Sequence, residues 1–66
     1  MKVDNPNQYL DKNVKITKKD GSFVTGMYFC WNPDGDNEEP GDAITLKDGD
    51  TGHMVYTKDM KSIEFI

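Results

Sequence analysis

The sequence predicts a mainly β domain: five short antiparallel strands, strongly bent into a small barrel, behind a short N-terminal helix. Three observations carry this expectation. Apolar residues alternate at Val14-x-Ile16, the period of a half-buried strand. Asp20-Gly21 then punctuates the chain as a hairpin turn does. Beyond it runs the aromatic segment Phe23–Trp31 with Gly26 near its middle. An internal glycine lets a long strand bend far enough to serve two walls of a barrel.

Each element has its own local signal. Asn5-Pro6 reads as a helix start, with Asn5 as the cap and Pro6 at the first helical position. The helix is expected over 6–12, turning Tyr9 and Leu10 toward whatever lies beneath. Strand one is expected at 13–18 and strand two at 22–31. The stretch 32–42 holds two prolines and two glycines and is expected as a loop. Strand three follows over 43–47, and Asp48-Gly49-Asp50 makes another turn. Strand four is expected at 53–57, a tight turn at 58–61, and strand five at 62–66. There are no internal repeats.

Sixty-six residues make a single domain, 1–66, near the lower limit for one hydrophobic core. One cysteine excludes an internal disulfide, and one distant histidine gives no zinc-ligand spacing. Homo-oligomerisation is therefore the expected supplement. No segment is apolar enough for a membrane span or a signal peptide, so no membrane partner is expected. With a lone thiol besides, the expected location is cytoplasmic.

Charge is unevenly placed. Residues 2–28 carry five lysines against three acids, whereas 32–50 carry seven acids against Lys47 alone. The chain has no arginine and a formal net charge of −4. Both facts argue against strong nonspecific nucleic-acid binding, because phosphate recognition draws on cations and especially on arginine. A local basic patch remains open.

From Val14 the pattern Val14-x-Ile16-x4-Gly21-x4-Gly26, closed by Trp31-Asn32, resembles the first motif of the Sm-like family. It is most similar to the bacterial, Hfq-like RNA chaperones, without a gap from Val14 to Asn32. Leu46-Lys47-Asp48 before a turn and His53-Met54-Val55-Tyr56 after it resemble the second motif. Ser62-Ile63 falls at the family's last strand. The resemblance spans about residues 6–65, interrupted by an acidic insertion at 33–42. It implies a ring of six or seven subunits, made by pairing strand four of one chain with strand five of the next. It also implies uridine-rich RNA bound near the pore; no cofactor is expected. The departures fall on the pocket: Thr57 stands where the family has lysine, Lys58 where it has histidine, and Asp59 follows. Carried over by position, the RNA-contacting residues are Tyr56, Lys58 and His53.

Other features have plainer readings. Asp34, Asp36 and Glu38 alternate like the start of a calcium loop, but Glu39 stands where that loop needs glycine. No glutamate arrives at its twelfth position, so a solvated loop is expected and no metal. Along strand two, Phe23, Met27, Phe29 and Trp31 share one parity, and Val24, Tyr28 and Cys30 the other. Exposed aromatics beside lysines would suit base stacking. The favoured reading is core on one face and, on the other, packing against Tyr9, Leu10 and a neighbouring chain. Trp31, at a strand end beside the loop, is the aromatic set apart. Lys12, Lys15, Lys18 and Lys19 form the basic cluster, with Lys15 and Lys19 on one strand face. His53 reads as a partly exposed strand residue and Cys30 as an inert apolar one.

No catalytic motif is present, and a barrel this small has no interior room for a substrate. An enzyme is not expected. Two binding classes stay open. One is an Sm-like ring subunit that holds single-stranded RNA through Tyr56, Lys58 and His53. The other is an SH3-like protein-interaction module that has lost RNA binding. It would hold a basic or extended protein partner through Trp31 and the acidic residues Asp34, Asp36, Glu38 and Glu39.

Overall fold

The computed structural model describes Val3, residues 5–35 and residues 40–66. Five antiparallel strands form one sheet: β1 (Asn13–Lys18), β2 (Phe23–Asn32), β3 (Ala43–Asp48), β4 (Thr51–Tyr56) and β5 (Met60–Phe65). Their order is β4-β3-β2-β1-β5. The mainly β class and the five strands are as the sequence predicts. Closure into a barrel is not made by hydrogen bonding, because β4 and β5 are opposite edges of the sheet.

The long strand divides its partners as a bent strand should. Phe23 through Met27 pair with β1, and Met27 through Asn32 pair with β3. Gly26 sits at the changeover. A Cβ there would lie 2.8 Å from the Lys47 carbonyl oxygen and 3.3 Å from the Leu46 Cβ. Only a hydrogen fits where β2 crosses this close to β3.

The β1–β2 connection is a short turn, residues 19–22. The Lys18 N–H donates to the Ser22 carbonyl at 2.8 Å, and Gly21 takes a φ of 94°. The Asp20 carboxylate accepts from both the Ser22 N–H (2.9 Å) and the Ser22 hydroxyl (2.6 Å). Those bonds, the hydroxyl's first, hold the Asp20 carboxyl below the ordinary range.

The leading element is shorter than expected, a single 3-10 turn at Pro6–Tyr9. Asn5 precedes it with a φ of 47° and makes no side-chain cap bond. Beyond the turn the backbone is claimed by β2: the Asp11 N–H donates to the Tyr28 carbonyl, and the Tyr28 N–H to the Lys12 carbonyl. Those two bonds, with Asp11 at positive φ, stop the helix before 12. Tyr9 packs on Tyr28 (ring centroids 5.6 Å apart) and on Phe65 (5.0 Å), whereas Leu10 is exposed. Tyr9 thus serves the core face of β2, not the outer face that the parity argument assigned to it.

The core consists of Val14, Ile16, Tyr28, Ile44, Leu46, Val55 and Met60, with Val3 at its margin and Tyr9, Val24, Trp31 and Ile63 packed against it. Met60 corrects the expected 58–61 turn. It is the first residue of β5 and fully buried, and the turn ahead of it is Thr57–Asp59. A larger correction concerns parity in β2. Tyr28 faces Leu46 and Cys30 faces Thr45, leaving Phe29 as the extra residue of a β-bulge. A bulge reverses the alternation beyond it. Trp31, opposite buried Ile44, therefore joins Val24 and Tyr28 on the core side, while Phe29 is left exposed.

Candidate functional site

Tyr56 closes β4 opposite Ala43, which in turn lies opposite Asn32 on β2. Three strand ends therefore meet at one end of the sheet. Tyr56 is buried, and the exposed Lys58 places its Nζ 5.4 Å from the Tyr56 ring centroid. The pair sets an exposed ammonium beside a phenol ring that is largely covered. His53 does not join them. Strand alternation puts it on the opposite face of β4 from Tyr56, paired with Leu46, and it is exposed.

The neck of the acidic loop reaches this same corner. The Thr57 N–H donates to the Asp42 carbonyl at 2.9 Å, and the Thr57 hydroxyl donates to that oxygen at 3.3 Å. The Asp42 carboxylate accepts the Asp34 N–H at 2.7 Å, and the Asp34 carboxylate accepts the Gly41 N–H at 2.9 Å. The loop is thus pinched shut by two reciprocal carboxylate bonds. Thr57, which stands where the resemblance has a lysine, is engaged with the loop backbone. Asp36, Glu38 and Glu39 lie outside the described residues. Of the acidic set, only Asp34 is placed, exposed and in the neck.

Trp31 is half-buried against the core instead of free at a strand end. Next to it the Asn32 Oδ1 accepts from the Thr45 hydroxyl at 2.9 Å and from the Cys30 thiol at 3.5 Å. This ties the end of β2 to β3. Two residues that bind these ends together escaped sequence reasoning: Thr45, which carries no local signal, and Asp42, which reads only as one more acid. Lys15 and Lys19 are also separated. Lys15 lies on the sheet, while Lys19 is in the turn, with its N–H on the Asp59 carbonyl.

Among the described residues, no group of three or more His, Cys, Asp and Glu side chains is placed to hold a metal ion. No helix among them is long and apolar enough to cross a membrane. No family model matches this chain, and comparison with curated proteins and with solved structures finds no match either.

Proposed function

We propose that this chain is a non-catalytic, Sm-like binding module of the cytoplasm. It assembles with copies of itself and holds single-stranded RNA at the Tyr56–Lys58 corner. The observation that carries the reading is the strand order. The two strands that a ring would join, β4 and β5, are the two edges of the sheet. Each edge exposes a large apolar side chain: Met54 is 47 % exposed and Phe65 is 55 % exposed. An open edge with apolar residues is a template for pairing with another chain, and soluble proteins seldom leave one uncovered. Edge pairing between copies would also supply the buried area that so short a chain lacks on its own.

One observation favours the second reading, an SH3-like protein-interaction module without RNA binding. The acidic neck is bonded to Thr57, beside Lys58. Carboxylates at that corner repel a phosphate backbone and attract a basic partner.

Light scattering across a concentration range, with and without a short oligo-uridine, decides between them. A mass of six or seven chains that gains the oligonucleotide at low salt, and loses it in Lys58→Gln, is the expected result. A monomer or dimer indifferent to oligo-uridine overturns the RNA reading and leaves the protein-interaction module.

A further inference from the structure

The segment ahead of β1 is held to the sheet differently from the rest of the chain. The Gln8 N–H donates to the Asn5 carbonyl (3.0 Å), the Leu10 N–H to the Asn7 carbonyl (3.2 Å) and the Lys12 N–H to the Tyr9 carbonyl (2.9 Å). Each of these bonds closes a turn within the segment itself. Bonding to the sheet begins at Asp11, whose N–H meets the Tyr28 carbonyl at 3.0 Å. Ahead of that point two apolar side chains reach the core. Val3 sits at its margin, and Tyr9 is half-buried against Tyr28 and Phe65.

Three unfavourable features meet in the same place. Asn5 takes the left-handed region, φ 47° and ψ 65°, directly ahead of Pro6 and without a side-chain cap bond. Asparagine tolerates that region better than most residues, but a following proline narrows the choice further. Asp11, at the other end, has a φ of 64°. The other described residues at positive φ are glycines, so the non-glycine cases both flank this one turn. Beneath it lies Tyr28, fully buried, its ring packed under Tyr9 and its hydroxyl without a hydrogen-bond partner among the described residues. A buried, unpaired hydroxyl is penalised until water reaches it. Backbone strain persists only where the surroundings enforce it, and it gathers at moving parts. Lifting the segment gives up the burial of Val3 and Tyr9. It also relaxes Asn5 and Asp11 and hydrates the Tyr28 hydroxyl. Loss and gain are of the same order.

We propose that residues 5–10 are a hinged strap over Tyr28 that swings out about Asp11 while the five-stranded sheet stays folded. Swung out, the strap uncovers the Tyr28 ring and the side of Phe65 that Tyr9 covers, on the edge strand β5. This device depends neither on the RNA reading nor on assembly.

Two measurements on the full chain test it: amide hydrogen exchange in increasing urea, and nitration of Tyr28 by tetranitromethane, located by mass spectrometry. The Gln8, Leu10 and Lys12 amides are expected to exchange at least about a hundredfold faster than the most protected amides of β2 and β3. Their rates should stay flat in urea below the unfolding transition, and Tyr28 nitration should be equally flat. Tyr28→Phe removes the unpaired hydroxyl and is expected to slow strap exchange about fivefold. Asp11→Gly is expected to slow it about threefold. Retained protection in β2 and β3 shows that each variant is folded. Fraying of the turn without a hinge would free the same amides but leave Tyr28 unmodified until the chain unfolds, and that result overturns the proposal. Strap amides that share the urea dependence of β2 and β3 also overturn it. So does a Tyr28→Phe variant that slows exchange in β2 and β3 but not in the strap.

Discussion

The two halves of β2 obey different rules. From Phe23 to Tyr28 the strand alternates as an uninterrupted strand must: Val24 and Tyr28 face the core, and Phe23 stays exposed. From Phe29 to Asn32 the parity is reversed, and an odd-numbered residue, Trp31, packs inward opposite Ile44. The first half pairs with β1 across a tight turn. The second pairs with β3 across the long acidic connection. The contrast shows that a periodic pattern is trustworthy where a short turn sets the register, and loses force where the partner arrives from farther along the chain.

The sharpest way to break that contrast is truncation along β2. Tyr28→Ala removes a fully buried ring and is expected to cost about 3–5 kcal/mol in urea denaturation. Trp31→Ala should cost less than that but clearly more than Phe29→Ala, whose expected effect is about 1 kcal/mol or below. Had the alternation run on without a bulge, Phe29 and Trp31 would respond alike. Equal losses at the two positions would therefore remove the bulge from the description.

A methyl group at the changeover probes the bend itself. Gly26→Ala places a Cβ against the Lys47 carbonyl, a backbone atom that cannot turn aside. The expected destabilisation is about 1–3 kcal/mol. A variant as stable as the parent would mean that β2 and β3 can part there at no cost, and the close crossing would not be what bends the strand.

The smallest expected effect has the opposite sign. The Tyr28 hydroxyl is buried and has no hydrogen-bond partner among the described residues. Burial, with Cys30 and Tyr9 nearby, pushes its phenol up to about 12, above the ordinary value near 10. Tyr28→Phe should therefore stabilise the fold, by about 1 kcal/mol. The same group sets an alkaline limit. Folding favours its neutral form, so its contribution is fully present below pH 10 and fades as pH rises toward 12. Spectrophotometric titration should show a phenol ionising above the ordinary range, and Tyr28→Phe should remove it. Melting temperatures in that window should fall less steeply for Tyr28→Phe than for the parent. Identical alkaline profiles would place the Tyr28 hydroxyl in contact with water.

Of the candidate site, the Tyr56–Lys58 pair was legible through the resemblance of His53–Tyr56 to a known motif, and the structure brings those two side chains together. His53 was grouped with them through the same resemblance, and strand alternation puts it on the other face of β4. The bonding of Thr57 to Asp42 had no sequence signal, since it joins residues fifteen apart through a backbone carbonyl. Exposure of Phe23 and Phe29 was equally hidden, because an aromatic residue in a strand is as readily core as surface until its register is known.

By itself the sequence determined the β class, the five strands to within two residues at their ends, the turn at Asp20-Gly21 and the change of partner near Gly26. These follow from alternation, turn chemistry and a missing Cβ, all of which act within a few residues. Tertiary structure alone decided where β2 bulges, that Met60 is core, which strands are edges and what the acidic loop's neck holds. Each of those depends on how segments distant in sequence match their hydrogen bonds and side-chain volumes. That match exists only once β3 has paired with β2 and β5 with β1.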